Sequence, residues 1–452
     1  MRPYACVDDS QCQQDGRQGF CEPSGWCSFP DPDCDSKRRY GEWAGSGLAG
    51  SCVEDDAQHD DTTTTASTSG ESTGDVDPVG SGESSTGEPC DTDCTAPGTL
   101  LWSIVEDGPD GGADSLLNVA VGDGDRIFVT GYLSVPEQGR DIVVREVSRD
   151  GQTVWTQTYD AMEGANEQAS GIAIDSEGAV VVSGDVSTTP RRAYLGRYAS
   201  DGMPLWHLER PGRGFEVAVD GSDDIVVVGG LGDDVWLAKV DPNGDPIWER
   251  SDPGPRGFAV GWDLTIDGVG DVIAIGSEDT AEGSRSWLRK YASDGSAPSW
   301  SVGLAGVGSG PNEGLGNAMA PDGDVIAVGN MSVGEDYHAW VAKYGPQGQL
   351  RWTRGHAGHE GGTANAHHVA VHGDGSIAVV GWKRAADGTF DAWVGRFDPN
   401  GDELWSQTHG GDADEHDRAY GVAFDSEGHV IAVGHLHMLD GGHNLWMAKY
   451  AP

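Results

Sequence analysis

Tryptophan stands at positions 102, 155, 206, 248, 300, 352 and 405, and glycine at 131, 184, 229, 276, 329, 381 and 434, so that the two series alternate along the chain. Interleaved series of equal length imply one unit of about fifty residues, repeated seven times. The stretch Val369 to Trp405, VAVHGDGSIAVVGWKRAADGTFDAWVGRFDPNGDELW, shows what the unit contains. Four short apolar runs, VAV, IAVVG, AWVGRF and ELW, are separated by turn-rich polar stretches, and each has the length and β-branched or aromatic content of a strand. One unit is thus a four-stranded antiparallel sheet. Such a sheet cannot bury both faces alone, and seven in succession cover one another when arranged radially. The expected fold is all-β, a seven-bladed β-propeller over residues 95–452.

The chain ends supply an independent check. The last unit stops at NLWMAKYAP, after its third strand, without the turn glycine and tryptophan strand that follow elsewhere. Near the start of the repeats, APGTLLW carries Gly98 and Trp102 with the four-residue offset seen in five of the other six units, such as Gly348 to Trp352. Residues 98–102 are therefore expected to complete the last blade, an N-terminal strand closing the ring. An open solenoid would instead need polar capping units.

All eight cysteines, Cys6, Cys12, Cys21, Cys27, Cys34, Cys52, Cys90 and Cys94, precede the propeller. Residues 1–55 read as a small disulfide-stapled module, because a core of that size cannot hold itself together. Its six cysteines allow 15 pairings. Zinc is the competing expectation, but no CxxC pair occurs, and the spacings suit disulfides better. Cys90 and Cys94 stand at the entry to the propeller, where a local bridge would stiffen the base of the closing strand. Between lies a tether over residues 56–94, rich in Ser, Thr, Gly and Asp, with almost no apolar surface to offset the entropy of ordering. Oxidised cysteines imply a secreted or outer-cell-surface protein. The start MRPYAC has neither a basic nor an apolar segment, so a secretion signal is expected upstream or already removed.

No run of 18 apolar residues exists, so no transmembrane segment is expected. A net charge of −46, with only 28 scattered Lys and Arg, argues against nucleic acid as a partner, since a phosphate backbone is held by clustered bases. The acidic surface favours solubility and attracts divalent cations.

Within each unit the third strand carries an aromatic, Tyr194, Trp236, Trp287, Trp340, Trp393 and Trp446, with Val143 in the first blade. Three residues later comes a base, Arg197, Lys239, Lys290, Lys343, Arg396 and Lys449, with Glu146 breaking the pattern. Odd spacing in a strand puts the two on opposite faces, the aromatic toward the seam between blades and the base toward neighbouring acids. Turns such as SRDG, ASDG and DPNG precede the tryptophan strand. Asp241, Asn243 and Asp245 match the first half of a calcium loop, but none of these turns supplies the glycine and later bidentate glutamate that such a loop needs, and a hairpin with a left-handed glycine accounts for all of them.

Units of the form GxAxDxxGxVxVxG followed by DxWxxKYDxxGxxxW resemble the bacterial seven-bladed β-propeller repeat proteins, over residues 95–452. That resemblance implies an extracellular scaffold with no particular ligand. DPNGDPIW and DPNGDELW also resemble the tryptophan-docking repeats of the quinoprotein dehydrogenases, which implies that Trp102, Trp155, Trp206, Trp248, Trp300, Trp352 and Trp405 dock blade to blade. Those enzymes usually have eight blades and many place a vicinal Cys pair beside the quinone, whereas this propeller has seven units and no cysteine.

Function on a repeat scaffold sits where the repeats differ. With the first strand innermost, the connections from strand four to the next blade and from strand two to three share a face. These are the long ones, at 156–170, 277–285, 303–316, 353–366, 406–419 and 435–443. In the third blade they shrink to PGRG and GLGDD, so the rim is expected to dip there. Eleven of the fourteen histidines lie from His356 onward. His356, His359, His416, His435, His437 and His443 fall in same-face loops of the last blades, beside acids such as Glu360 and Asp417, and are candidate ligands for zinc, calcium or another divalent metal. No HExxH or comparable spacing is present. The expected function is non-enzymatic: a monomeric binding scaffold that takes an extracellular protein or glycan on its long-loop face, with no catalytic residues and no obligatory cofactor. The alternative from another class is a metal-dependent hydrolase or lyase using the histidine loops.

Overall fold

In the computed structural model the described residues are 96–452, apart from 109–110, 137–138, 162–163, 282, 305–311, 412–415 and 440–441, together with five short N-terminal strands. Those strands are Gln13–Gln14, Arg17–Gln18, Phe20–Cys21, Cys27–Pro30 and Arg38–Tyr40. The first two pair with each other, and the other three form one sheet in sequence order. The eight cysteine side chains and the tether over 56–94 lie outside the described residues. The chain divides into two units, Met1–Gly80 and Ser81–Pro452, and the repeats fall in the second.

Each repeat is a four-stranded antiparallel sheet with its strands in sequence order. In the second blade these are Glu167–Ile174, Val180–Val186, Arg192–Tyr198 and Pro204–Pro211. The seventh blade takes Arg418–Phe424, Val430–His437 and His443–Tyr450 from the end of the chain and Leu100–Glu106 from before the first blade. Trp102 there pairs with Lys449 and Leu100 with Tyr450. First strands of successive blades lie side by side, and Ser115–Gly122 of the first blade meets Arg418–Phe424 of the last, so the ring is closed. Among the described residues no helix is long and apolar enough to cross a membrane.

The core is divided among the seams. Each of seven buried clusters joins one blade to the next; Phe128, Ile142 and Val144 of the first blade, for example, pack on Ala169, Val180, Val182 and Tyr194 of the second. Central strands covered on both sides read as continuous apolar runs, which explains IVVVGG and VIAIG where a half-exposed strand would alternate.

Two glycine positions hold this geometry. Every first strand carries a bulge, with Leu117, Ser170, Phe215, Trp262, Leu315, His367 or Tyr420 as the unpaired residue. The glycine opposite, from Gly131 to Gly434, has no room for a side chain: a Cβ there would lie 1.8–2.0 Å from a first-strand carbonyl oxygen. The periodic glycine and the bulge are one device. The second position is the turn before the fourth strand, where Gly98, Gly151, Gly202, Gly244, Gly295, Gly348 and Gly401 have φ between +73° and +86°. At five of them, Gly98, Gly202, Gly295, Gly348 and Gly401, a Cβ would come within 3.0 Å of the indole ring of the preceding blade's tryptophan. The Nε1 groups of Trp102, Trp206, Trp248 and Trp300 donate to carbonyls of Arg149, Pro242, Ser293 and Pro346 in the next blade's turn, each at 3.0 Å.

The third-strand bases meet aspartates of their own blade's first hairpin. Lys239 reaches Asp220 at 2.7 Å, Lys290 reaches Asp267 at 2.6 Å and Lys449 reaches Asp425 at 2.8 Å. Where Glu146 breaks the pattern the charges are exchanged, and the base comes from the second strand as Arg126, 2.7 Å away.

Candidate functional site

The bulges turn the innermost strands so that the next residue faces the propeller axis. Seven such residues form a ring: Asn118, Gly171, Glu216, Asp263, Gly316, His368 and Gly421. The glycines are where strands crowd. A Cβ on Gly171 would lie 2.8 Å from the Cα of Glu216, one on Gly316 3.0 Å from the Cα of His368, and one on Gly421 2.6 Å from the Cα of Asn118. Side chains therefore project from four positions, and Glu216 and Asp263 are neighbours with no glycine between them.

Above this ring lies a cavity of about 350 Å³, to which all seven blades contribute. Its wall contains Tyr132, Phe215, Trp262 and Tyr420, with Arg140, Gln168 and His367 between them, and Glu216, Asp263, Asn118 and His368 at the level of the ring. Phe215 and Trp262 pack at 4.8 Å between centroids, and His367 meets Tyr420 edge-on at 4.9 Å. The cavity sits at the end of the axis that carries the long connections, since Tyr132 and Arg140 flank the second-to-third-strand connection of the first blade. A wider opening at the other end of the axis is lined by the first hairpins of several blades, and His368 borders both.

The polar groups of the ring are held firmly. Glu216 accepts from the Val217 amide at 3.0 Å and from Asn118 Nδ2 at 2.8 Å. Asp263 accepts from the amides of Leu264 at 2.6 Å and Asn317 at 2.7 Å. His368 Nε2 lies 3.9 Å from Asp263 Oδ2. Glu216, Asp263 and His368 offer atoms that all lie within 4.8 Å of one another. Burial pushes Asp263 up to about 7, and burial together with the Asp263 charge pushes Glu216 well above its usual range. Burial, with His367 beside it, lowers His368 to about 4, so the imidazole is neutral. The chemistry on offer is a fixed carboxyl pair that retains a proton, an amide and a neutral imidazole beneath an aromatic wall: hydrogen-bond donors and acceptors with apolar surface above them, as in small-molecule sites generally.

The six candidate histidines occupy other places. His435 is buried, with its ring stacked on His443 at 4.2 Å and its Nδ1 3.2 Å from Ser115 Oγ. His437 meets His443 edge-on at 5.0 Å. His356 packs between Trp393 and Phe397, His416 packs on Phe390, and exposed His359 sits in a single helical turn beside Glu360. Among the described residues, three groups offer three ligand atoms within 4.8 Å of one another, and none of the six histidines belongs to them. The axial ring was missed at the sequence level, although a signal exists. When the first strands are aligned on their shared VAV-like core, the leading residue is Asn118, Gly171, Glu216, Asp263, Gly316, His368 or Gly421. That position takes five residue types across the seven repeats, while alanine stands two residues later in six of them.

No family model matches the chain, and no curated protein matches it. Solved structures of similar fold include a protein of unknown function from Bacteroides caccae, 14% identical with a TM-score of 0.42, the match covering 62% of this chain and 94% of that one. Drosophila plexin A, solved in complex with semaphorin 1b, is 10% identical at a TM-score of 0.43 over 75% of this chain and 88% of its own. Sqt1 from Chaetomium thermophilum is 10% identical at 0.43 over 77% and 99%. At such identities the likeness concerns fold alone.

Proposed function

We propose that this chain is a secreted or cell-surface binding protein, active as a monomer, that takes a glycan into the axial cavity of its long-loop face. One arrangement supports this reading above all: the aromatic wall of Tyr132, Phe215, Trp262 and Tyr420 over the carboxylates of Glu216 and Asp263. A sugar ring has apolar faces that lie against aromatic side chains, and hydroxyls that both donate and accept, which suits a fixed, buried carboxyl pair that retains a proton. Sugar residues beyond the cavity of about 350 Å³ would run outward over the loops. A hydrolase built on the histidine loops has no specific observation in its favour.

The test is to probe arrays of glycans and of peptides with the labelled full chain, and to repeat the probing with Trp262→Ala and Glu216→Gln variants whose unfolding transitions match the parent. Glycan signals weakened tenfold or more by both substitutions are expected. Peptide signals alone, or glycan signals indifferent to both variants, would overturn the assignment.

A further inference from the structure

A second site lies at the seam between the first and second blades, and it stands whether or not the axial cavity binds a glycan. Asp141 comes from the third strand of the first blade, Asp160 follows its fourth strand, and Glu167 opens the first strand of the second blade. Their carboxylate oxygens lie within 4.8 Å of one another. Glu167 is wholly buried, and neither of its carboxylate oxygens has a hydrogen-bond partner elsewhere in the described chain; Oδ1 of Asp141, 7% exposed, is also buried and without a partner. No ion pair joins the three to a lysine, arginine or histidine among the described residues. Other buried acids near this face have one: Asp185 pairs with Arg191 at 2.7 Å and Glu278 with Arg285 at 2.8 Å.

The same position in other blades shows what is unusual. Counting back two residues from the one paired with the periodic glycine gives Asp114, Glu167 and Asp417 in the first, second and seventh blades. Asp114 accepts from the amides of Gly108 at 2.7 Å and Ser134 at 2.6 Å. Asp417 accepts from Gly411 at 2.7 Å and His437 at 2.6 Å. In the second blade the amide equivalent to those of Ser134 and His437 is that of Ser187, and it already donates to Asn166 O at 2.9 Å. The longer Glu167 side chain is turned instead toward two more carboxylates.

The geometry points to a divalent-cation site formed by Asp141, Asp160 and Glu167, selective for a hard ion such as calcium, that ties the first blade to the second. Three carboxylates supply up to six oxygens, and calcium takes six to eight at flexible geometry, whereas zinc prefers nitrogen and sulfur, which the cluster lacks. Without a cation, the buried acids Asp141 and Glu167 face each other and the exposed Asp160 across the seam. Burial first, then Asp160 and Asp141, hold Glu167 up at about 7, its own amide pulling weakly the other way, and burial and Asp160 raise Asp141. Glu209 adds negative charge nearby but is itself engaged by Arg192 at 2.9 Å and the Tyr159 hydroxyl at 2.8 Å. A divalent ion supplies the missing counter-charge.

The test is isothermal titration of the chelator-treated full chain with calcium, magnesium or zinc, with thermal unfolding recorded in parallel. Calcium is expected to bind at this site and to raise the unfolding temperature in proportion to the logarithm of its concentration. Glu167→Gln and Asp160→Asn, the latter at an exposed position, should each weaken binding tenfold or more and move that rise to correspondingly higher calcium concentration. Glu167→Gln should also be more stable than the parent at pH 8 in chelator, because it removes the unpaired charge. Absence of a calcium response, a response at unchanged calcium concentration in both variants, or a response to zinc alone would overturn the assignment.

Discussion

Gly202 shows how a single residue constrains the blade. Its φ is +86°, and a Cβ would lie 2.6 Å from the ring of Trp155. Gly202→Ala therefore combines left-handed strain with a clash in the docking contact and is expected to cost about 3 kcal/mol. Gly178 has a similar φ of +77°, but its Cβ would meet nothing closer than 3.9 Å, so Gly178→Ala should cost only about 1 kcal/mol. Urea denaturation of the two variants separates strain from contact, and equal losses would contradict the docking role of the tryptophan. His435 offers a pH test at the same scale. Burial, with His443 and Arg418 beside it, lowers it to about 3, while an unfolded imidazole titrates near 6.5. Below pH 6.5 the unfolded chain takes up a proton that the folded one refuses. The contribution of His435 is thus fully present above pH 6.5 and lost as pH falls toward 3. His435→Gln is expected to flatten the loss of stability between pH 6.5 and 4 relative to the parent; an unchanged slope would show that the ring is protonated in the fold.

The exchanged ion pair of the first blade is a property of strands. Six blades place a base on the third strand and its acid in the first hairpin, while the first blade places Glu146 on the third strand and Arg126 on the second. Glu146→Lys puts two bases together at a site where Glu146 is 6% exposed, and a loss of about 3 kcal/mol is expected. Adding Arg126→Glu should recover part of it, with a coupling energy of about 1–3 kcal/mol in a double-mutant cycle. Simple additivity would mean that the two side chains do not interact. The strand pattern was largely legible in the sequence because each strand must satisfy the same seam in every blade, so its aromatics and glycines recur. The bulge was not legible: it adds one residue without altering composition, and that residue decides which side chain faces the axis. An even register through GFEVAVD or GWDLTID leaves Glu216 and Asp263 as ordinary strand positions. The histidines drew attention through number and loop placement; His435, His437 and His443 pack on one another, while His356 and His416 pack against aromatic neighbours.

At the scale of the molecule, repetition supplies a rigid ring and departure from repetition supplies chemistry. Both candidate sites lie where one blade differs from its neighbours: at the axis, where four of seven ring positions carry polar side chains, and at the first seam, where a glutamate replaces the aspartate of two other blades. Closure by Leu100–Glu106 makes the axial ring complete, since all seven first strands must be in place for Glu216, Asp263 and His368 to converge. The most direct test of the axial site is a crystal structure of the chain with the glycan that the arrays rank first. The account predicts a sugar ring against Trp262 with a hydroxyl on the carboxylate of Glu216 or Asp263. A glycan bound only on the outer loops, with the axial cavity filled by water, would contradict it.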